Sequence, residues 1–177
     1  MTLKLTKLAR KTIRDYFDNK KFNPDKNTKE LYKEKKACFV TLTLNGELKG
    51  CIGSLKPEKE LWKDVQDNAI NAAIHDFRFS RLTEEEFLKI KIEVSVLSLP
   101  KKIEAVNEKD LLMRINPGRG YILEKEGVSS TFLPQVWKQI PDKIQFLEQL
   151  SLKAGLNRNA WKTAEIWSYT VNSEKEK

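Results

Sequence analysis

Residues 37–55 read ACFVTLTLNGELKGCIGSL. β-Branched and apolar residues alternate on both sides of Asn45-Gly46, a residue pair favoured in tight hairpin turns, so the stretch predicts a β-hairpin. Its register decides where Cys51 points. An uninterrupted two-residue turn would set Val40 opposite Cys51 and Leu42 opposite Lys49, placing a charge among apolar neighbours. A three-residue loop Leu44-Asn45-Gly46, with Gly46 supplying a G1 bulge, instead gathers Cys38, Val40, Leu42, Leu48, Gly50 and Ile52 on one face. Thr41, Thr43, Glu47, Lys49 and Cys51 then share the other face, with Phe39 beside the thiol. This second register is the expected one. It puts Cys38 and Cys51 on opposite faces, unable to pair with each other.

On either side of the hairpin the pattern changes to helical. Leu5, Leu8, Ala9, Ile13, Tyr16 and Phe17 recur at spacings of three and four, and FNPDKN ends that helix. The lysine-rich segment 28–36 reads equally as a helical turn or an exposed loop. Residues 58–75 read as a helix with Leu61, Val65, Ala69 and Ala72 as its core stripe, and with Asn68, Asn71 and His75 on an adjacent polar line. DFRFSRL is a loop, and Thr83 followed by Glu86 matches a capping box. KIEVSVLSLP is a strand stopped by Pro100, and Asn107 caps a short helix. NPGRG is a turn, a second hairpin pivots at Glu126-Gly127, and a helix over 142–153 ends at Gly155. EIWSYTV reads as a last strand closing the sheet, while the tail NSEKEK reads as solvated charge. With no regular βαβ repeat, the expected fold is one α+β domain over 1–177, a mostly antiparallel sheet flanked by helices.

Composition narrows the function classes. A chain of 177 residues with 40% hydrophobic content can bury its own core. No apolar run approaches the roughly 18 residues of a membrane span, and MTLKLTKLARKTIRDYF carries charges throughout, so a cytoplasmic protein without a membrane anchor is expected. Two cysteines and one histidine make neither a disulfide scaffold nor a Cys/His zinc set, and no metal is expected. The net charge of +8 attracts anionic partners without naming one.

Five segments in order, LKGCIGSL, NAINAAIHDFRF, IEVSVLSLP, STFLPQVW and FLEQLSLKAGL, resemble the AMMECR family over roughly Cys38 to Trp161. Lys49 stands where the family signature LRGCIG has arginine, and Phe77 stands where its DPRF motif has proline. The resemblance implies an α+β fold with a larger and a smaller lobe, and motif residues gathered around a cleft between them. It also implies companions, a Memo-type protein and a radical SAM enzyme. It implies no particular reaction, and no motif names a cofactor.

Cys51 is the candidate catalytic residue. Gly50 and Gly53 remove side chains around it and make room for a ligand, while Lys49 and Arg78 would favour the thiolate. The competing reading is a small buried hydrophobe in a tightly packed strand. His75 is either the base for Cys51 or a surface residue at a helix end. Asp76 and Arg78 either bind substrate or pair with each other as a buttress. Glu93 is an acid/base candidate or an outward strand residue, Gln135 offers an amide, and Lys153 complements a helix terminus. Lys49, Gly50, Gly53, Asp76, Arg78 and Gln135 are thus the substrate-binding candidates, for a small anionic molecule or nucleotide. A non-catalytic nucleotide- or RNA-binding module, or an adaptor, is the alternative. The placement of the basic residues relative to LKGCIG separates these readings.

Overall fold

The computed structural model describes residues 3–176. The chain runs α1 (Leu5–Phe17), α2 (Lys26–Leu31), β1 (Cys38–Leu44), β2 (Glu47–Gly53) and α3 (Leu61–Ile70), which continues into a π-helical turn, Asn71–His75. It goes on through α4 (Glu84–Phe87), β3 (Ile90–Leu97), β4 (Lys101–Lys102), α5 (Glu108–Arg114), β5 (Gly120–Lys125) and β6 (Val128–Phe132). A 3₁₀ turn (Pro134–Lys138), α6 (Lys143–Lys153), β7 (Glu165–Tyr169) and β8 (Val171–Lys175) follow. Two compact units result, one holding the chain up to Leu97 and from Asn172 on, the other Ser98–Val171. Each has its own four-stranded antiparallel sheet, in the orders β2-β1-β3-β8 and β4-β7-β5-β6. The α+β class is as expected, but of EIWSYTV the residues Glu165–Tyr169 form β7 in the second sheet and do not close the first, and Val171 begins β8.

In the first unit, Leu8, Ala9 and Ile13 of α1 and Val65 and Ala69 of α3 pack with Val40, Leu42, Ile92 and Val94 on one face of the sheet. Of the tail NSEKEK, expected to be solvated, residues 172–175 belong to β8 and Lys177 lies outside the described residues. Glu174 accepts from the Thr6 amide and hydroxyl at 2.9 and 2.6 Å, and Glu176 takes Arg10 and the Ile92 amide. Partners on α1 and β3 satisfy these carboxylates, so the acidic residues join the edge instead of leaving it. The second unit buries Tyr121, Leu123, Trp137, Phe146, Leu150 and Trp161 around Ile166. Trp137 lies flat on Phe146, ring centroids 3.8 Å apart, and donates its indole N–H to the Arg119 carbonyl.

The hairpin keeps its predicted turn but not its predicted register. Leu44 pairs with Glu47 around Asn45 and Gly46, whose φ values of 52° and 87° make a left-handed two-residue turn rather than a three-residue loop. The bulge falls instead at Lys49: Thr43 pairs with Leu48 and Leu42 with Gly50. Beyond that skipped residue Cys51 stands opposite Thr41 rather than Phe39, which pairs with Gly53, while its place on the face away from Cys38 is as expected. Leu48 moves off the apolar face and is 45% exposed.

Candidate functional site

β2 is an edge strand, so on its outer side Cys51 lacks a neighbouring strand to satisfy its amide and carbonyl. Two side chains take that place. Asp76 accepts the Cys51 N–H at 2.9 Å, and Arg78 donates from Nη2 to the Cys51 carbonyl at 2.9 Å. The two are locked together, with Arg78 Nε and Nη2 donating to the Asp76 carboxylate at 2.9 and 2.8 Å. Asp76 is 5% exposed, and the Arg78 guanidinium beside it holds its carboxyl down to about 2, helped by the Cys51 amide against the cost of burial. The guanidinium also lies over the Phe79 ring. Asp76 and Arg78 therefore buttress the cysteine strand.

The π-helical turn positions this clamp. One extra residue per turn lets α3 run past β2 and release Asp76 at its strand edge, with Asp76 already in extended conformation. On the way, the Ala72 carbonyl comes so close to Gly50 that a Cβ there would overlap it. Gly53 is covered by Phe39 directly across the ladder, the arrangement in which an aromatic ring shields a strand glycine. The room that the two glycines were expected to leave for a ligand is filled by Ala72 and Phe39 of this chain. That close approach is the reason for the glycines on either side of the thiol.

Lys49, the bulged residue, donates to Glu86 at 2.8 Å and to Ser80 at 3.0 Å, its side chain 12% exposed. Glu86 meanwhile completes the capping box with Thr83, as read from the sequence. The lysine is thus committed to α4, not to the thiol. Cys51 itself bonds the Thr41 hydroxyl at 3.2 Å, and burial pushes its thiol up, only partly opposed by Thr41 and Arg78. The thiolate-favouring surroundings expected from Lys49 and Arg78 are outweighed by desolvation. His75 is exposed and bonds no group near the thiol among the described residues.

Along the sheet face away from the helices, Cys51 begins a row that crosses three further strands. Thr41 stands next to it, Glu93 opposite Thr41 on β3, and Lys175 of β8 pairs with Glu93 at 3.0 Å. Glu93 points outward, as one of its two readings had it. Ser95 and Ser173 bond each other at 2.8 Å in the next row. On the opposite face, Asp64 joins the Cys38 amide and thiol, Ser54 and Asn68 in a buried polar network that sequence reading missed. The i, i+4 spacing of Asp64 and Asn68 on α3 was its one local trace. Gln135 belongs to the second unit, exposed on the 3₁₀ turn, its side chain without a hydrogen bond among the described residues. Lys153 donates to the Thr131 carbonyl at 2.8 Å.

These features define an α+β protein of two antiparallel sheets whose cysteine-bearing edge strand is held by an Asp-x-Arg loop. The chain belongs to the AMMECR1 family, whose model matches residues 6–174. It is 41% identical to a protein of Methanosarcina barkeri over 97% of this chain and 88% of that one. A Methanopyrus kandleri protein is 38% identical over 96% and 84%. The crystal structure of an uncharacterized protein from Pyrococcus horikoshii superposes with a TM-score of 0.89 at 33% identity, over 98% of this chain and 90% of that one. Among the described residues no helix is long and apolar enough to cross a membrane.

Proposed function

We propose that the protein is the substrate-holding component of a cytoplasmic enzyme system, with Cys51 at the centre of its working surface. Its companions in this reading are a Memo-type protein and a radical SAM enzyme. The observation that carries the proposal is the investment in Cys51 itself. Two charged side chains fix both backbone groups of one edge residue, and its thiol faces away from the hydrophobic core, beside Thr41 and Glu93. A packing role alone needs no such fixation, since the core lies on the other face.

The thiol is held protonated at neutral pH, so in the free protein it serves as a weak donor and shape-defining contact. The bound ligand is a small molecule whose acceptor meets the Sγ–H and whose anionic group meets the exposed edge of Arg78, where Nη1 has no partner among the described residues. The chemical step is completed by a companion. The protonated thiol also favours a second reading, an adaptor that presents the same row to a partner without chemistry of its own.

Native mass spectrometry of the freshly purified protein, alone and mixed with the two companions, tests the proposal. Wild type is expected to carry a small-molecule adduct that Cys51→Ala and Arg78→Ala lose while staying folded. Companion binding without any adduct favours the adaptor. Identical spectra for all three proteins, with only a lowered melting temperature for Cys51→Ala, contradict both readings.

A further inference from the structure

Besides Lys49 and Arg78 at the LKGCIG strand, basic residues gather at a second place. At the other side of the same sheet, near the β8 edge, a cavity of about 540 Å³ is lined by Lys4, Lys7, Arg10, Lys89, Lys91 and Lys175, with Glu176 as its carboxylate. Glu176 is engaged by Arg10 in a bidentate pair, and Lys175 by Glu93. Lys4, Lys7, Lys89 and Lys91 have no carboxylate partner among the described residues. Other lysines that lack a carboxylate partner, such as Lys109 and Lys138, do not line this concavity, whereas Lys33, Lys59, Lys102 and Lys162 are matched to Glu30, Asp67, Glu165 and Glu108. Four lysines without a carboxylate partner thus line one concavity, built from the N-terminal end of α1 and the segment entering β3.

Gathering four unmatched ammonium groups raises the local potential, and a counter-anion of several charges relieves it. The volume lies within the range of small-molecule sites. The lining has no aromatic side chain on which a nucleobase would stack, and lysines bind phosphate as point charges without directional demands. We infer that this groove is a binding site for a small metabolite carrying two or more phosphate groups, recognised through its phosphates. The site is independent of the Cys51 proposal, and neither stands or falls with the other.

Isothermal titration of the full chain with inorganic triphosphate and with inorganic phosphate tests it. Triphosphate should bind saturably at one site, and monophosphate at least roughly tenfold more weakly. Affinity for triphosphate should fall as salt is raised from low to physiological strength. The double reversal Lys7→Glu/Lys89→Glu should abolish binding. The charge-matched Lys109→Glu/Lys138→Glu, at exposed positions of the second unit, should retain most of it. If the reversal lowers the melting temperature, the neutral pair Lys7→Gln/Lys89→Gln serves instead, with a loss of roughly tenfold expected. Equal loss in the second-unit variant, absence of saturation, or binding of single-stranded RNA that triphosphate does not displace overturns the inference.

Discussion

The Asp76 carboxylate accepts the backbone N–H of Cys51 at 2.9 Å, so a loop side chain does for the strand edge what a neighbouring strand would do. Arg78 supplies the complementary donor to the carbonyl. The cysteine is fixed through its main chain, and its thiol is left to face the polar side of the sheet.

Removing the carboxylate orphans both the buried Cys51 amide and the guanidinium. Asp76→Ala should therefore lower stability by about 3 kcal/mol, in the range for breaking a buried pair from one side. Arg78→Ala should cost less, about 1 kcal/mol, because its side chain is 49% exposed and water replaces part of its role. Urea denaturation of both variants gives the ranking; an Arg78 variant weaker than the Asp76 variant contradicts it.

Asp76 also sets an acid dependence. Its carboxyl is lowered from 3.8 to about 2, so the ionised form is favoured by folding. The contribution is fully present above the unfolded value and is lost as pH falls through the folded one, between about pH 4 and 2. That lowering corresponds to about 2 to 3 kcal/mol. The stability gap between wild type and Asp76→Asn should narrow across that window when urea midpoints are compared at pH 5 and pH 2.5. A gap that is constant with pH would place the effect elsewhere.

Gly50→Ala should be more damaging than its size suggests, by about 3 kcal/mol or more, because the new methyl meets the Ala72 main-chain carbonyl and neither strand nor π-turn can yield cheaply. Gly46→Ala has only conformational strain to absorb, at φ 87° with open space around it, and should cost about 1 kcal/mol. Thermal melts order the two variants; equal melting temperatures would mean that the π-turn is not pinned there.

The acidic tail carries structure. Glu176→Ala removes the partner of Arg10 and of the Ile92 amide, and should cost about 1 to 2 kcal/mol, whereas a solvated residue would cost nothing measurable. Chemical denaturation of the single variant settles which holds.

What could be read from the sequence was local. The Asn45-Gly46 turn, the Thr83–Glu86 capping box, the Asn107 cap and the Glu126-Gly127 turn each depend on residues within a few positions of one another, and all are present. The hairpin register was not local: the bulge at Lys49 is held by Glu86, thirty-seven residues on. Likewise the tail joins the sheet as β8 because α1 and β3 supply partners that no window of sequence contains. The π-turn has no period of its own to detect, and only through it does Asp76 meet Cys51. For that reason Asp76 and Arg78 were identifiable as candidates while their bond to the cysteine backbone was not.

The Cys51 thiol is positioned but protonated, and the pH dependence of its alkylation in the native protein tests this most directly. Cys38, fully buried and bonded to Asp64, provides the internal reference. Cys51 should label slowly at neutral pH, faster than Cys38 but slower than either thiol after unfolding, with its rate rising only above the ordinary thiol range. Rapid labelling at pH 7 with a midpoint below about 8.5 would show a thiolate stabilised by its surroundings, and would contradict the account.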